Sequence, residues 1–218
     1  MLNNRLKEKA LDPECPYVAA GANDGTFIFA KTKDAFKLSA YPKELGKTAD
    51  ALKAAYTEAL RAARHGFTAT EYARFQEDYK SSLDKMYSNK DKRPNSQLYR
   101  DLVDNFLEGD PMPSIDFEYQ NMSQIVPVMP VEVVNQMMAE LVPANDSNLI
   151  VLAFLNEAEG NVYPTEAELL GAVKDARSAN IEAYVDNVKN EPLITTLPKA
   201  GKVKKEVKNE KLGYTTLT

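Results

Sequence analysis

The sequence predicts an α+β fold, a two-layer arrangement of a mainly antiparallel sheet and helices, and three stretches carry that prediction. Ala35 to Tyr41 alternates Phe36, Leu38 and Ala40 with Lys37, Ser39 and Tyr41, the period of a half-buried antiparallel strand. From about residue 47 to residue 108 the apolar spacing changes to that of long helices. Asn148 to Leu155 is the most strongly apolar run and lies between polar turns, so it reads as a strand buried on both faces and central in the sheet.

At the start of the chain, Leu2, Leu6 and Ala10 recur at steps of four until Asp12 and Pro13 stop them, which predicts an amphipathic helix. With no partner sequence before it, this helix is expected to be the tail of an element whose beginning lies upstream. Cys15 to Asn23 reads as a strand of small residues, and Asp24-Gly25 as a turn. Thr26 to Ala30 belongs with the same hairpin.

From Gly46, Leu52, Tyr56, Ala59 and Ala63 share one helical face, while Lys53, Glu58, Arg61 and Arg64 lie largely off it. Gly66 fits the position past that helix's end, where positive φ excludes a β-carbon. Thr68 and Glu71 then open a second helix as a capping box, with Phe67 and Tyr72 placed as a hydrophobic staple. Tyr72, Phe75, Tyr79 and Met86 line this helix to about Tyr87, and the two helices are expected to pack as an antiparallel pair. Ser88 to Asn95 is a solvated loop. A third helix carries Leu98, Leu102 and Phe106 and closes at Gly109.

Prolines at 111, 113, 127 and 130 predict a connecting segment with one short helix, and Pro130 suits the first turn of the next, which would turn Val133, Met137 and Leu141 inward. Thr165 and Glu168 form a second capping box, opening a helix through Leu169, Leu170 and Val173 to about Asn180. Residues 1–180 therefore read as one α/β domain. Residues 181–218, with six lysines from Lys199 to Lys211, read as an extended linker toward a following domain, ending in Tyr214 to Thr218, which has strand propensity but no downstream partner.

The 218 residues are 44% hydrophobic, enough for a sizeable core. With 32 acidic against 27 basic side chains, no overall basic field favours nucleic acid. No apolar run approaches the roughly twenty residues of a membrane helix, so membrane insertion is not expected. The single cysteine, Cys15, leaves the compartment open and reads as a small strand residue.

One cysteine and one histidine are too few nitrogen and sulfur ligands for an all-protein zinc site, so no metal and no catalytic residues are assigned. His65, at a helix C-terminus, reads as a partner for the last carbonyls and the helix dipole. No Gly-x-Ser-x-Gly elbow accompanies it, and Gly21 to Gly25 lacks the features of a phosphate loop. Arg93 and Tyr99, with Arg100, begin the third helix and are the candidates for substrate contact, where their donors could meet an oxyanion; a solvated helix start is the simpler reading. Taken alone, the residues describe a scaffold organised around the hinge Gly66, Phe67, Thr68 and Glu71.

Several pieces together resemble the pitrilysin/insulinase family of zinc metallopeptidases, the inverzincins. They are the early helix from Leu2 to Glu8, the small-residue strand, Phe36 to Ala40, Gly66 to Glu71, Asn105 to Pro113, and Pro164 to Leu170. The resemblance implies an antiparallel sheet backed by helices on one side, and places the chain at the non-catalytic second domain of the first half, followed by the linker. The family's His-x-x-Glu-His helix belongs to the preceding domain, so the resemblance implies zinc there and no cofactor here. The family's transition-state Arg and Tyr normally come from its second half, so Arg93 and Tyr99 are not clear counterparts of that pair and stand as an alternative. Implied partners are the other domains of the same polypeptide and, in the parent, a peptide substrate. The implied role is to support the zinc domain and line the peptide chamber, and the export of large bacterial members suggests a periplasmic or envelope setting. The alternative is a self-contained, non-enzymatic interaction or core subunit of the same fold.

Overall fold

The computed structural model describes residues 1–27, 30–188, 194, 196, 198, 199 and 201–217, which fall into two units, Met1–Asp186 and Asn187–Thr218. The first unit mixes helices with an antiparallel hairpin, as an α+β fold requires.

Helix α1 (Leu2–Ala10) buries Leu2 and Leu6 at the predicted four-residue step, with Arg5 on the same face. It lies against strand β1 (Tyr17–Phe27), which pairs antiparallel with β2 (Ala30–Pro42). The buried Tyr17 donates its hydroxyl to the Leu6 carbonyl at 3.2 Å. Asn3 accepts from the Ala22 N–H at 2.7 Å and donates to the Ala22 carbonyl at 2.9 Å, so a side-chain amide occupies backbone positions that an added strand would use. Asp24 and Gly25 are not the predicted turn: they pair with Phe36 and Ala35 inside the hairpin. The ladder extends to the pair Phe27 and Ala30, and residues 28 and 29 lie outside the described residues. Turn-forming residue types do not break a strand whose ladder continues past them.

Helix α2 (Thr48–His65) is central. It packs on β2, α1, α6 (Val131–Leu141) and α7 (Glu166–Ser178). Ala51, Ala55, Ala59 and Ala62 are buried along it with Tyr56 and Leu60, and these small side chains permit the close approach of neighbours on several sides. Helix α3 (Ala69–Ser88) opens with the predicted capping box: Thr68 Oγ1 accepts from the Glu71 N–H at 3.2 Å, and Glu71 Oε2 accepts from the Thr68 N–H at 2.8 Å. The box at α7 has the same form, with Thr165 and Glu168 at 3.2 and 2.7 Å.

Helices α2 and α3 do not pack along one another as an antiparallel pair. Helix α3 packs on α5 (Ile115–Val128) instead. The reason lies in Gly66, whose φ of 72° is positive as predicted but whose ψ of −169° is extended. That backbone carries the chain away from α2, where a left-handed cap would fold it back. Helix α4 (Asn95–Glu108) ends on such a left-handed glycine, Gly109.

Further differences follow from the positions of partners. The proline-rich connection holds the 14-residue α5, which tolerates Pro127 in its last turn, and Pro130 caps α6 from just outside it. On α6 it is Met138, with Val131, Val134 and Leu141, that meets the core, while Val133 and Met137 are exposed; on α7 Val173 is buried and Leu170 exposed. Asn148 to Leu155 is not a central strand. It has no strand partner among the described residues, Val151 alone packs on the core, and Leu149, Ile150, Leu152 and Phe154 are exposed. Apolar composition supplied the expectation, but a strand exists only where a second backbone receives its hydrogen bonds.

In the second unit, β3 (Glu206–Asn209) pairs antiparallel with β4 (Tyr214–Leu217). The final strand thus finds its partner upstream, inside the lysine-rich stretch.

A Cβ on Gly66 would stand 2.5 to 2.9 Å from the Asn135 side chain, on a backbone that L-residues rarely adopt. Gly66→Ala is expected to cost about 2 kcal/mol, read from urea unfolding. An unchanged midpoint would contradict this account of the hinge.

Candidate functional site

The hinge residues Gly66, Phe67, Thr68 and Glu71 converge on a side chain that the sequence reading does not single out, Arg5. Its position follows from helix geometry, since residues 2, 5 and 6 share one face of α1 and that face is buried. Arg5 is 2% exposed and Glu71 7%. Arg5 Nε donates to Glu71 Oε1 at 2.7 Å, while Nη2 donates to Glu71 Oε2 at 2.7 Å and to the Gly66 carbonyl at 2.9 Å. The guanidinium lies 4.9 Å from the Phe67 ring centroid and 4.3 Å from that of Tyr184. Nη1 is buried without a hydrogen-bond partner among the described residues, so the two rings supply its stabilisation. Asn135 completes the hinge, accepting from the Phe67 N–H at 2.7 Å.

Glu71 therefore serves two structures, the cap of α3 and the ion pair to α1. Burial pushes its carboxyl up, but hydrogen bonds from Arg5 and Thr68 outweigh burial and hold it below the ordinary glutamate range. A carboxylate whose oxygens accept from Arg5, the Thr68 N–H and the Thr68 hydroxyl is ill suited to be a general base. The arrangement works as a clamp. Sequence reasoning missed Arg5, Asn135 and Tyr184; the signal available for Arg5 was a charged residue on the Leu2 and Leu6 stripe.

The other sequence candidates are dispersed. His65 Nε2 lies 2.7 Å from the carbonyl of Ile181, placed to donate to it, so the ring binds the chain beyond α7 and not the last carbonyls of its own helix. Cys15 is a free, buried thiol just before β1. Among the described residues no three His, Cys, Asp or Glu side chains are grouped to hold a metal ion. Arg93 pairs with Asp101 and lines an open groove of ≈ 950 Å³ together with Lys85, Met86, Arg100 and Met122. Tyr99 is 69% exposed and outside that groove, so the structure does not bring Arg93 and Tyr99 together.

No protein-family model matches the chain, and no curated protein matches its sequence. Among solved structures, the chain is similar to the periplasmic protease PqqL from Escherichia coli, with a TM-score of 0.62 and 18% identity over 100% of this chain and 24% of that one. It is also similar to the structure of the first half of PqqL, with a TM-score of 0.63 and 17% identity over 85% of this chain and 39% of that one. The likeness is one of fold, and the chain spans about a quarter of the length of the complete PqqL chain. Among the described residues, no helix is long and apolar enough to cross a membrane.

The depressed Glu71 carboxyl sets a pH dependence. Its stabilisation is fully present above the unfolded glutamate pKa of about 4.3 and is lost as pH falls through the lower folded value. Urea unfolding is expected to show the wild-type chain losing stability steeply below about pH 4.3, and Glu71→Gln, weaker at neutral pH, losing less over the same interval. Parallel curves for the two proteins would show that Glu71 does not carry this dependence.

Proposed function

We propose that this chain is a non-catalytic domain of a larger zinc peptidase of the pitrilysin/insulinase type, which supports the zinc-bearing domain and forms part of the wall of the peptide chamber. The observation that carries the reading is the fold likeness to PqqL over the whole chain. The second match, to the first half of PqqL, supports a place in the corresponding half of the parent. PqqL is a periplasmic protease, and a periplasmic setting for the parent is part of the proposal.

The residues of this chain do not fit the family's zinc. With one histidine the His-x-x-Glu-His helix cannot be written anywhere in the sequence, and the described residues hold no alternative ligand group. No hydrolytic step is assigned to it. In the proposed parent, zinc and its chemistry belong to a preceding domain.

Uncovered apolar surface also supports a role inside a larger assembly. Leu98, Leu102 and Phe106 form one stripe of α4, and Phe106 is 86% exposed. Ile150, Leu152 and Phe154 stand at every second position of a segment without helix or strand, and Phe154 is likewise 86% exposed. Stripes of this kind suit contact with other domains of one polypeptide. Of the two residues singled out for peptide contact, Arg93 lies in a groove and Tyr99 is exposed outside it, and both stay in the proposal as separate contacts.

Zinc analysis and a fluorogenic-peptide assay on the purified chain test the reading. Substoichiometric zinc and no chelator-sensitive hydrolysis are expected, while one zinc per chain, removable with loss of hydrolysis, would overturn it. The genomic reading frame is expected to continue upstream into His-x-x-Glu-His. A frame that starts at Met1 would favour the self-contained interaction subunit.

A further inference from the structure

The residues that follow α7 fasten the Arg5 hinge from outside, although their sequence reads as linker. Basic side chains on the last two turns of α2 take carbonyls from the last turn of α7 and from this stretch. Arg64 donates to the carbonyls of Arg177 at 2.6 Å and Ala179 at 3.2 Å, His65 Nε2 lies 2.7 Å from the Ile181 carbonyl, and Arg61 donates to the Glu182 carbonyl. The stretch then reaches α1. Tyr184 lays its ring 4.3 Å from the Arg5 guanidinium and donates its hydroxyl to the Glu8 carboxylate. It ends on α3, where Asp186 accepts from the Thr70 hydroxyl and from Arg74, at 2.9 Å from Nη1 and 3.2 Å from Nη2. Six residues thus touch the three helices that meet at Arg5 and Glu71.

The chemistry of these contacts is uneven. Apart from the Arg5 contact, those to α1 and α3 run from the half-buried Tyr184 and from Asp186, whose side chain is 8% exposed, to the exposed partners Glu8, Thr70 and Arg74, so each lies at the edge of solvent. The pair they cover is buried, and its hydrogen bonds depend on remaining out of water. Burial, reinforced by the bond to Glu8, pushes the Tyr184 hydroxyl pKa up, so Tyr184 stays a donor at neutral pH. Asp186 is the last residue of the first unit, and the chain continues directly into Asn187–Thr218.

We propose that Ile181–Asp186 is a latch, seated over the Arg5–Glu71 pair, whose release lets water reach that pair and loosens α1 and the start of α3 together. Because the latch ends where the first unit ends, a displacement of the chain beyond Asp186 acts on it through the backbone. The order of the hinge is thereby coupled to the residues that follow. This device is a property of the contacts themselves and does not rest on the peptidase reading.

Amide hydrogen exchange on the full chain tests it, comparing wild type with Tyr184→Phe, Asp186→Ala and the double variant. Tyr184→Phe keeps the ring over Arg5 and removes only the bond to Glu8. In the double variant, exchange across Leu2–Ala10 and across residues 66–72 is expected to accelerate ~10-fold or more, with Ile115–Val128 unchanged. Unchanged rates in the first two segments would overturn the latch. So would an equal acceleration in Ile115–Val128, which would mean general destabilisation. If Asp186→Ala does not fold, Tyr184→Phe alone decides, with faster exchange expected in Leu2–Ala10 and wild-type rates there contradicting the proposal.

Discussion

The structure depends on one buried ion pair. Arg5 and Glu71 are 66 residues apart in sequence, and their bidentate contact joins α1 to the start of α3 while a second bond from Arg5 holds the Gly66 carbonyl. Removing two charges from water costs several kcal/mol per ion, so the pair is tolerated only because almost every polar atom in it has a partner. Glu71 is satisfied by Arg5 and by its own capping box, and Arg5 by Glu71, Gly66 and two aromatic faces. What the arrangement supplies is registry more than net stability. A helix end, a helix start and the chain's first helix can meet in only one way that pairs all these groups.

That constraint explains the path of the chain around the hinge. Gly66 takes an extended ψ, so α2 and α3 diverge, and each finds other neighbours, α7 and α6 for α2 and α5 for α3. Asn135 of α6 braces the diverging backbone through the Phe67 N–H. The alanine-rich α2 admits helices on several faces, which keeps the core around it compact in spite of the divergence.

Local features of the fold were legible in the sequence because their causes are local. Both capping boxes, the positive φ of Gly66 and the strand around Ala35 to Tyr41 follow from residue types a few positions apart. What could not be read needed knowledge of a partner distant in sequence. Asn148 to Leu155 has the composition of a buried strand, yet burial requires a neighbour that composition cannot name. On α6 Leu141 faces the core as its spacing predicts, but Val134 and Met138 take the places expected of Val133 and Met137, since Met137 and Met138 are chemically identical and only the location of α2 selects between them. At the clamp, Thr68 and Glu71 were visible as a cap, but the second role of Glu71 depended on Arg5, whose burial contradicts the usual behaviour of arginine. His65 reads from sequence as a partner for the last carbonyls of its own helix, but the acceptor beside its ring is the Ile181 carbonyl, 116 residues away. The chain is thus tied together by polar contacts of long sequence separation, and the groove beside Arg93 is lined by other residues.

The central claim is that Arg5 and Glu71 act as one unit. A double-mutant cycle with Arg5→Met and Glu71→Leu, measured by urea unfolding at neutral pH, tests it most directly. Each single change should destabilise by about 3–5 kcal/mol, because it leaves a buried charge unpaired. The double variant should be much less destabilised than the sum of the two, giving a coupling energy above about 2 kcal/mol. Additive effects, with a coupling near zero, would contradict the account.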